Sequence, residues 1–347
     1  MITRDIGQFL AAARRAPSDF GPATARAAFL VAPDGFRLAG QSAADNHYMA
    51  DAGAFDAARA SAQHRDLHRA IAQVLPAVCF AGDPETPDAL FPNNVFATTA
   101  GRYVVGRMRH PVRQREATRA DIRGFFGGVL DYAEIDLSTQ PHPCELTGAL
   151  VIDRARGLGF AGLSERCDAE GARLMHEALG LRATLVFDLA DGEYHTNVVL
   201  AVLAGRAAMV CPGGFADPAV VDAIAALYAP HAIMLSPAEH AAFAGNAIAL
   251  SEDTVWMSEG ASARPPGSRC TPLASTRSKP AAVRCAAASG RSTEAPATGN
   301  VAGPEPRPRC EEKVQIGFTA CFQEWPSSSS TARPAHPRGT RSVHVDP

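Results

Sequence analysis

One pattern, β-hairpin then helix then strand, recurs along this chain and constrains its fold more than anything in its composition. "NNVFATTAGRYVVGRM" reads as a hairpin turning at Ala100-Gly101, followed by helical "ATRADIRGFFGGVL" and the strand "DYAEIDL". "TGALVIDRARGLGFAGLS" turns at Arg156-Gly157 and leads into the helix "DAEGARLMHEALG" and the strand "ATLVFDL". "TNVVLAVLAGRAAMVC" turns at Gly205 and leads into "DPAVVDAIAALYA" and "HAIMLS". Asp168 and Asp217-Pro218 are N-terminal signals for the second and third helices. Hairpins begin near Asn94, Gly148, Asn197 and Asn246, a period of about 50 residues. An earlier partial unit reads as strand "AAFLVA", helix "AFDAARASAQHRDLHRAIAQVL" and strand "AVCFAG". The fourth hairpin, "GNAIALSEDTVWMS", is followed by no helix.

The expected fold class is α/β, a five-unit α/β propeller whose last unit is incomplete, because strand-rich repeats of this size pack radially. A doubly wound sheet competes but fits less well. Hairpins demand antiparallel pairs, and no Gly-x-Gly-x-x-Gly loop is present. Three regions follow: an N-terminal helical segment (1–24), the propeller (25–262) and a Pro/Ser/Arg-rich tail (263–347). The tail holds roughly half of the 26 prolines. Its composition buries too little apolar surface to offset ordering entropy, so it is expected to be disordered.

With 347 residues, 46% hydrophobic and 20% charged, the chain is of soluble globular type. A net charge of −3 predicts no nucleic-acid partner. The 8 Cys and 11 His include neither a Cys-x2-Cys pair nor His-Glu-x-x-His, so no metal site is expected. No secretory signal is evident at the start. The longest apolar run, "VVLAVLAGRAAMVC", is broken at Gly205-Arg206 and reads as a hairpin, so no membrane partner is expected. These readings place the chain in the reducing cytoplasm.

Equivalent positions of a radial repeat converge on its axis. The hairpin starts therefore gather Asn93, Asn94, Glu145, His195, Asn197 and Asn246 around one expected pocket. Glu145 beside His195 would fix the imidazole tautomer and raise its pKa toward a proton-donor value. The plainer alternatives are a buried histidine satisfied by backbone and asparagines that cap turns. Cys144 adjoins Glu145, but on a strand the two would point to opposite faces, so Cys144 reads as structural.

As a set, "FPNN", "E-x-T-G-(A/S)-L-V-x-D-R", "YHTNV", "FAGN" and "VWMSE" resemble the arginine deiminase-related hydrolases and amidinotransferases of the guanidino-group-modifying (pentein) superfamily. "SAADNHYM" (Ser42 to Met49) is similar to that family's N-terminal substrate loop, and "GRMRHPVRQRE" to its segment after the first full hairpin. The resemblance spans about residues 25 to 260. It implies that Glu145 and His195 are catalytic, that Asn46, Asn93 and Asn94 bind substrate, and that no metal or organic cofactor is needed; Asn197 and Asn246 are further binding candidates. The implied substrate is a small molecule, arginine, citrulline or a relative. The oligomeric state is left open, a homodimer included. Asn93-Asn94 stands where some relatives carry acidic groups, which leaves deiminase, dihydrolase and transferase chemistry open.

The family's nucleophilic cysteine lies in a closing strand resembling Gly-Gly-Gly-Ser-x-Arg-Cys, which this chain lacks as written. Cys285, in "AAVRC", is a candidate, but no glycine run precedes it and no apolar strand follows it. Read one frame away, with suitable third bases, Ser275 to Thr293 yields D-E-V-E-A-G-G-G-S-V-R-C-C-I-G-E-V-Y. The sequence-based expectation is thus a frameshifted C-terminus from about residue 260, with the nucleophile's codon straddling Ala286 and Ala287. The expected enzyme is a C–N hydrolase acting on linear amidines through a cysteine thiolate. Its rivals are an amidinotransferase and an inactive guanidino-binding pseudoenzyme.

Overall fold

The computed structural model describes residues 1–37, 40–43, 56–252, 254–257, 270–272, 281–285 and 320–322. The three complete repeats build three sheets of one design. Phe96–Thr99 pairs antiparallel with Arg102–Val105, which pairs parallel with Ala133–Asp136. Leu150–Asp153, Leu158–Leu163 and Ala183–Asp188 repeat this arrangement, as do Leu200–Leu203, Ala207–Val210 and Ala232–Met234. The third strand returns parallel because a helix crosses over between it and the second, as a parallel connection requires. These helices include Ala169–Ala178 and Pro218–Leu227, whose N-caps are Asp168 and Asp217. The turns fall at Ala100-Gly101, Arg156-Gly157 and Gly205, and each glycine has positive φ, where a side chain would be strained.

One departure from the sequence reading bears on the site. The motif residues do not begin the strands. Pro92–Asn94 forms one turn of 3-10 helix, and Leu146–Ala149 and Thr196–Val199 each form one turn of α-helix; the strands begin only at Phe96, Leu150 and Leu200. Hydroxyls on these turns tie neighbouring units together. Thr147 Oγ1 donates to the Asn93 carbonyl (3.0 Å) and Thr196 Oγ1 to the Ala149 carbonyl (2.6 Å). A hydroxyl bonded to backbone across units fits a turn better than a strand, where the side chain would stand off the ladder.

The fourth sheet begins as expected with Ile248–Ala249 against Thr254–Met257. Its next strand is Ala281–Cys285, antiparallel to Thr254–Met257, with Cys270–Pro272 outside it. In the fifth sheet, Ala27–Val31 pairs parallel with Ala77–Phe80 across the helix Ala57–Ala72, and antiparallel with Ala320–Phe322. The expected tail thus contributes three short strands. Among the described residues no helix is long and apolar enough to cross a membrane.

The N-terminal segment caps the second and third units. Asp5 accepts from the Gln8 amide (2.8 Å) and starts the helix Ile6–Arg15; Arg14 and Arg15 oppose its dipole at the other end. Phe9 and Ala13 share one face and bury against the core, Phe9 edge-on to Phe160 at 5.4 Å. Ile2–Thr3 extends the second sheet beside Ala183–Asp188.

His64 sits on the buried face of Ala57–Ala72 with Leu67 and Ile71. Burial, reinforced by the neighbouring His68, pushes its pKa down to about 4. The unfolded chain therefore binds a proton near 6.5 that the folded chain refuses until about 4. Stability is full above pH 6.5 and declines as pH falls toward 4, by about 2 kcal/mol at pH 5 relative to pH 8. Urea unfolding of His64→Leu should lack that part of the decline; an unchanged pH dependence would refute the assignment.

Candidate active site

Glu145 is fully buried, at the start of the turn Leu146–Ala149. Leu146, directly after it, has φ of 27°, an unfavourable value for a residue with a side chain and of a kind that gathers at functional sites. The Glu145 carboxylate accepts from His195 Nε2 (2.8 Å), from the Arg109 amide (3.0 Å) and from Arg166 Nη1 (3.3 and 3.4 Å). Burial alone would raise its pKa. Arg166, His195 and Arg113 outweigh burial and hold it down at about 2, so it is an anion.

His195 is the N-cap of the turn Thr196–Val199 and is also buried. Its environment corrects the sequence expectation. Glu145 does raise its pKa, but burial outweighs Glu145, and the net shift is downward. The ring is neutral at pH 7, with Nε2–H donating to Glu145. Its other edge faces Gly148, where a Cβ would lie 2.8 Å from His195 Cε1, 3.0 Å from Nδ1 and 2.5 Å from Asn94 Oδ1. Gly148 is therefore required by close approach: any side chain there would push Asn94 and His195 out of place. An oriented neutral imidazole with one nitrogen unpledged can take a proton from a nucleophile and return it to a leaving group.

Among the described residues the predicted ones fall into two adjoining groups. Asn94 joins Glu145 and His195 through Gly148. Asn93, bonded to Asn94 (3.1 Å between Nδ2 and Oδ1), lines a cavity of about 160 Å³ with Asn197, Asn246 and Thr147. A second cavity, of about 470 Å³, adjoins Glu145 through Arg109 and is also lined by Gln114 and Glu165. Asn46 lies outside the described residues. Cys285 ends the strand Ala281–Cys285 in the fourth sheet, opposite Cys270.

Sequence reasoning missed the other buried charges around Glu145. Arg166 also donates to the Ser42 carbonyl (3.1 Å), and its guanidinium lies 5.6 Å from the Tyr194 ring centroid. Asp88 is 1% exposed; Ser42 Oγ donates to its Oδ2 (2.5 Å), while Oδ1 has no hydrogen-bond partner among the described residues. Arg113 and Glu116 are buried and paired through two bonds. In the sequence these residues look like ordinary surface charges. The one available signal was their place in "PDALFPNN", "GRMRHPVRQRE" and "LSERC", segments next to the motifs.

The cysteines whose side chains are described do not suit nucleophilic attack. Burial pushes the Cys144 thiol up to about 11, the Cys211 thiol to about 12 and the Cys167 thiol well above its usual range; half-buried Cys79 is raised too. The structural reading of Cys144 stands on this ground, although Glu145 lies on a turn and not on a strand.

No curated protein sequence matches the chain. Solved structures share its fold. The N-terminal domain of ArgZ, an arginine dihydrolase from cyanobacteria, bound to substrate in a cysteine-to-serine mutant, aligns with a TM-score of 0.56 at 20% identity over 65% of this chain and 81% of that one. AgrE bound to ornithine and NAD+ aligns at 0.57 and 21% over 66% of this chain, but the match spans only 33% of AgrE. A dimethylarginine dimethylaminohydrolase adduct with S-methyl-L-thiocitrulline aligns at 0.53 and 20%, over 71% of this chain and 87% of that one. The sequence model of the eukaryotic N,N-dimethylarginine dimethylhydrolase family matches residues 32–263. That span holds every motif discussed except the candidate nucleophile, and the chain belongs to this family of arginine deiminase-related, pentein-type enzymes.

Proposed function

We propose that the site hydrolyses a C–N bond of a guanidino compound, with five units arranged radially around it. The observation that carries this reading is the charge of the buried cluster. Asp88, Glu116 and Glu145 supply three carboxylates, Arg113 and Arg166 two guanidiniums, and His195 is neutral. Arg119, which also faces Glu116, is balanced by Asp121, so above pH 7 one negative charge is left over among the described residues, and among them one oxygen of Asp88 lacks a donor. Buried charge of this kind is costly unless paired. A guanidinium supplies one positive charge and planar N–H donors that fit a carboxylate.

In the proposed reaction His195 takes the proton of a cysteine thiol, the thiolate attacks the guanidino carbon, and the imidazolium returns that proton to the nitrogen that departs as the C–N bond breaks. Water, deprotonated by the same imidazole, then displaces the thiolate, regenerating the cysteine. Glu145 holds the imidazole and hydrogen-bonds a substrate nitrogen; Asn93 and Asn94, with Asn46, contact substrate. The high thiol pKa values of Cys144, Cys167 and Cys211 leave the nucleophile to the C-terminal part. We propose that its codon straddles Ala286 and Ala287 in a shifted frame. The nucleotide sequence across residues 255 to 295 decides this, since an unshifted reading removes the proposal. In the written frame Cys270, Cys285, Cys310 and Cys321 remain. Two of them are tested first: Cys285, and Cys321, on the strand that pairs antiparallel with Ala27–Val31, as the first strand of each complete unit pairs with its second.

The inert thiols also favour a second reading for the written frame: a protein that binds guanidino compounds without cleaving them. Arginine carrying ¹⁵N in its guanidino group, incubated with and without glycine, separates the readings. Labelled ammonia supports the hydrolase. Labelled guanidinoacetate indicates an amidinotransferase. Binding with neither product, in a chain confirmed to lack a frameshift, supports the binding protein.

A further inference from the structure

Arg113 and Glu116 take no part in the proposed chemistry, yet they are as buried as Glu145. Arg113 Nε donates to Glu116 Oε1 (2.8 Å) and Nη2 to Oε2 (2.9 Å). Nη2 also reaches the carbonyls of Asp88 (3.3 Å) and Phe91 (3.2 Å). Those carbonyls bracket the segment that presents the Asp88 oxygen with no hydrogen-bond partner among the described residues and leads straight into Asn93 and Asn94.

We propose that the Arg113–Glu116 pair is the positioning element of the guanidinium pocket: it clamps residues 88–94 and, being neutral overall, leaves the pocket its single negative charge. This rests on the guanidino reading of the site. The planar guanidinium grips Glu116 with the fork of Nε and Nη2 and, through Nη2, reaches both carbonyls. Alone, it would have cancelled the charge that attracts a cationic substrate. Glu116 removes that conflict by neutralising it.

The arrangement also makes affinity depend on pH. Glu116 is faced by Arg113 and Arg119 and by the carboxylates of Asp88 and Glu145. Burial raises its pKa, Arg113 opposes burial, and the net result is about 7. Above pH 7 the pair is neutral. Below it Glu116 gains a proton, the pair becomes cationic, and the pocket loses its net negative charge. Affinity for a cation should therefore fall as pH drops from 8 to 6, by at most about tenfold per pH unit. A neutral ureido ligand should show little of this.

The test is calorimetric titration of the full chain with L-arginine and L-citrulline between pH 6 and 8, which needs no turnover. Glu116→Gln should weaken arginine binding at pH 8 about tenfold or more and flatten its pH dependence, while citrulline binding changes far less. Should that variant fail to fold, Arg113→Met/Glu116→Met replaces the pair with apolar side chains of similar length, a change that folded proteins tolerate. It should keep the wild-type melting temperature yet bind arginine about tenfold more weakly, without pH dependence. Wild-type affinity and pH profile in either folded variant would overturn the proposal and leave the guanidino reading standing. A wild-type chain that binds neither ligand would instead overturn the guanidino reading, and this inference with it.

Discussion

Replacing His195 by asparagine is expected to lower ammonia release from arginine about a thousandfold while leaving arginine affinity within about threefold. Asparagine is too short to replace Nε2, but the buried carboxylate keeps the Arg109 amide and Arg166 as donors, so the fold survives. What is lost is the nitrogen facing Gly148 and Asn94, with its capacity to take and return a proton. The pH profile offers a second readout. In the proposed reaction turnover requires the neutral imidazole, whose pKa burial pushes below its usual value, so with saturating arginine the acidic limb of the wild-type kcat profile lies below pH 6.5. His195→Asn should lose that limb. A variant with normal turnover, or one that retains the limb, would show that His195 is a buried structural histidine.

The second large effect is on stability as well as rate. Glu145→Gln keeps the shape of the side chain but removes the carboxylate that pairs with Arg166, which is 2% exposed. Losing one partner of such a pair costs about 3 kcal/mol or more, so the variant should melt well below wild type. The amide also presents a donor where the carboxylate accepted from His195, and turnover should fall at least about a hundredfold in the folded fraction. Glu145→Gln/Arg166→Met tests the cause. Removing the Arg166 charge together with the Glu145 charge should restore most of the lost stability without restoring turnover. Stability that stays low in the double variant would mean that packing around Glu145, and not its charge, supports the fold.

How much of this was legible in the sequence depended on local periodicity. The hairpins were readable because alternating apolar residues flank Gly101, Gly157 and Gly205, and positive φ is cheap only for glycine. The helices starting at Asp168 and Asp217 were readable from their caps. The pairing of Glu145 with His195 was predictable because the repeat brings equivalent hairpin starts together, although they lie 50 positions apart. Three features were not readable. The motif residues sit on single helical turns, which are too short to have a period. The imidazole pKa moves down and not up, since burial is a property of the whole fold. Asp88, Arg113, Glu116 and Arg166 look like solvated charges until tertiary structure encloses them.

The account stands or falls on a buried site with one unmatched negative charge. It is tested most directly by calorimetric titration of the wild-type chain at pH 8 with L-arginine and, separately, with L-citrulline, which are similar in size but differ in the charge of the head group. The account predicts that arginine binds and that citrulline binds about tenfold or more weakly, the effect of one unpaired charge. Equal affinity for the two, or no binding of arginine, would contradict it.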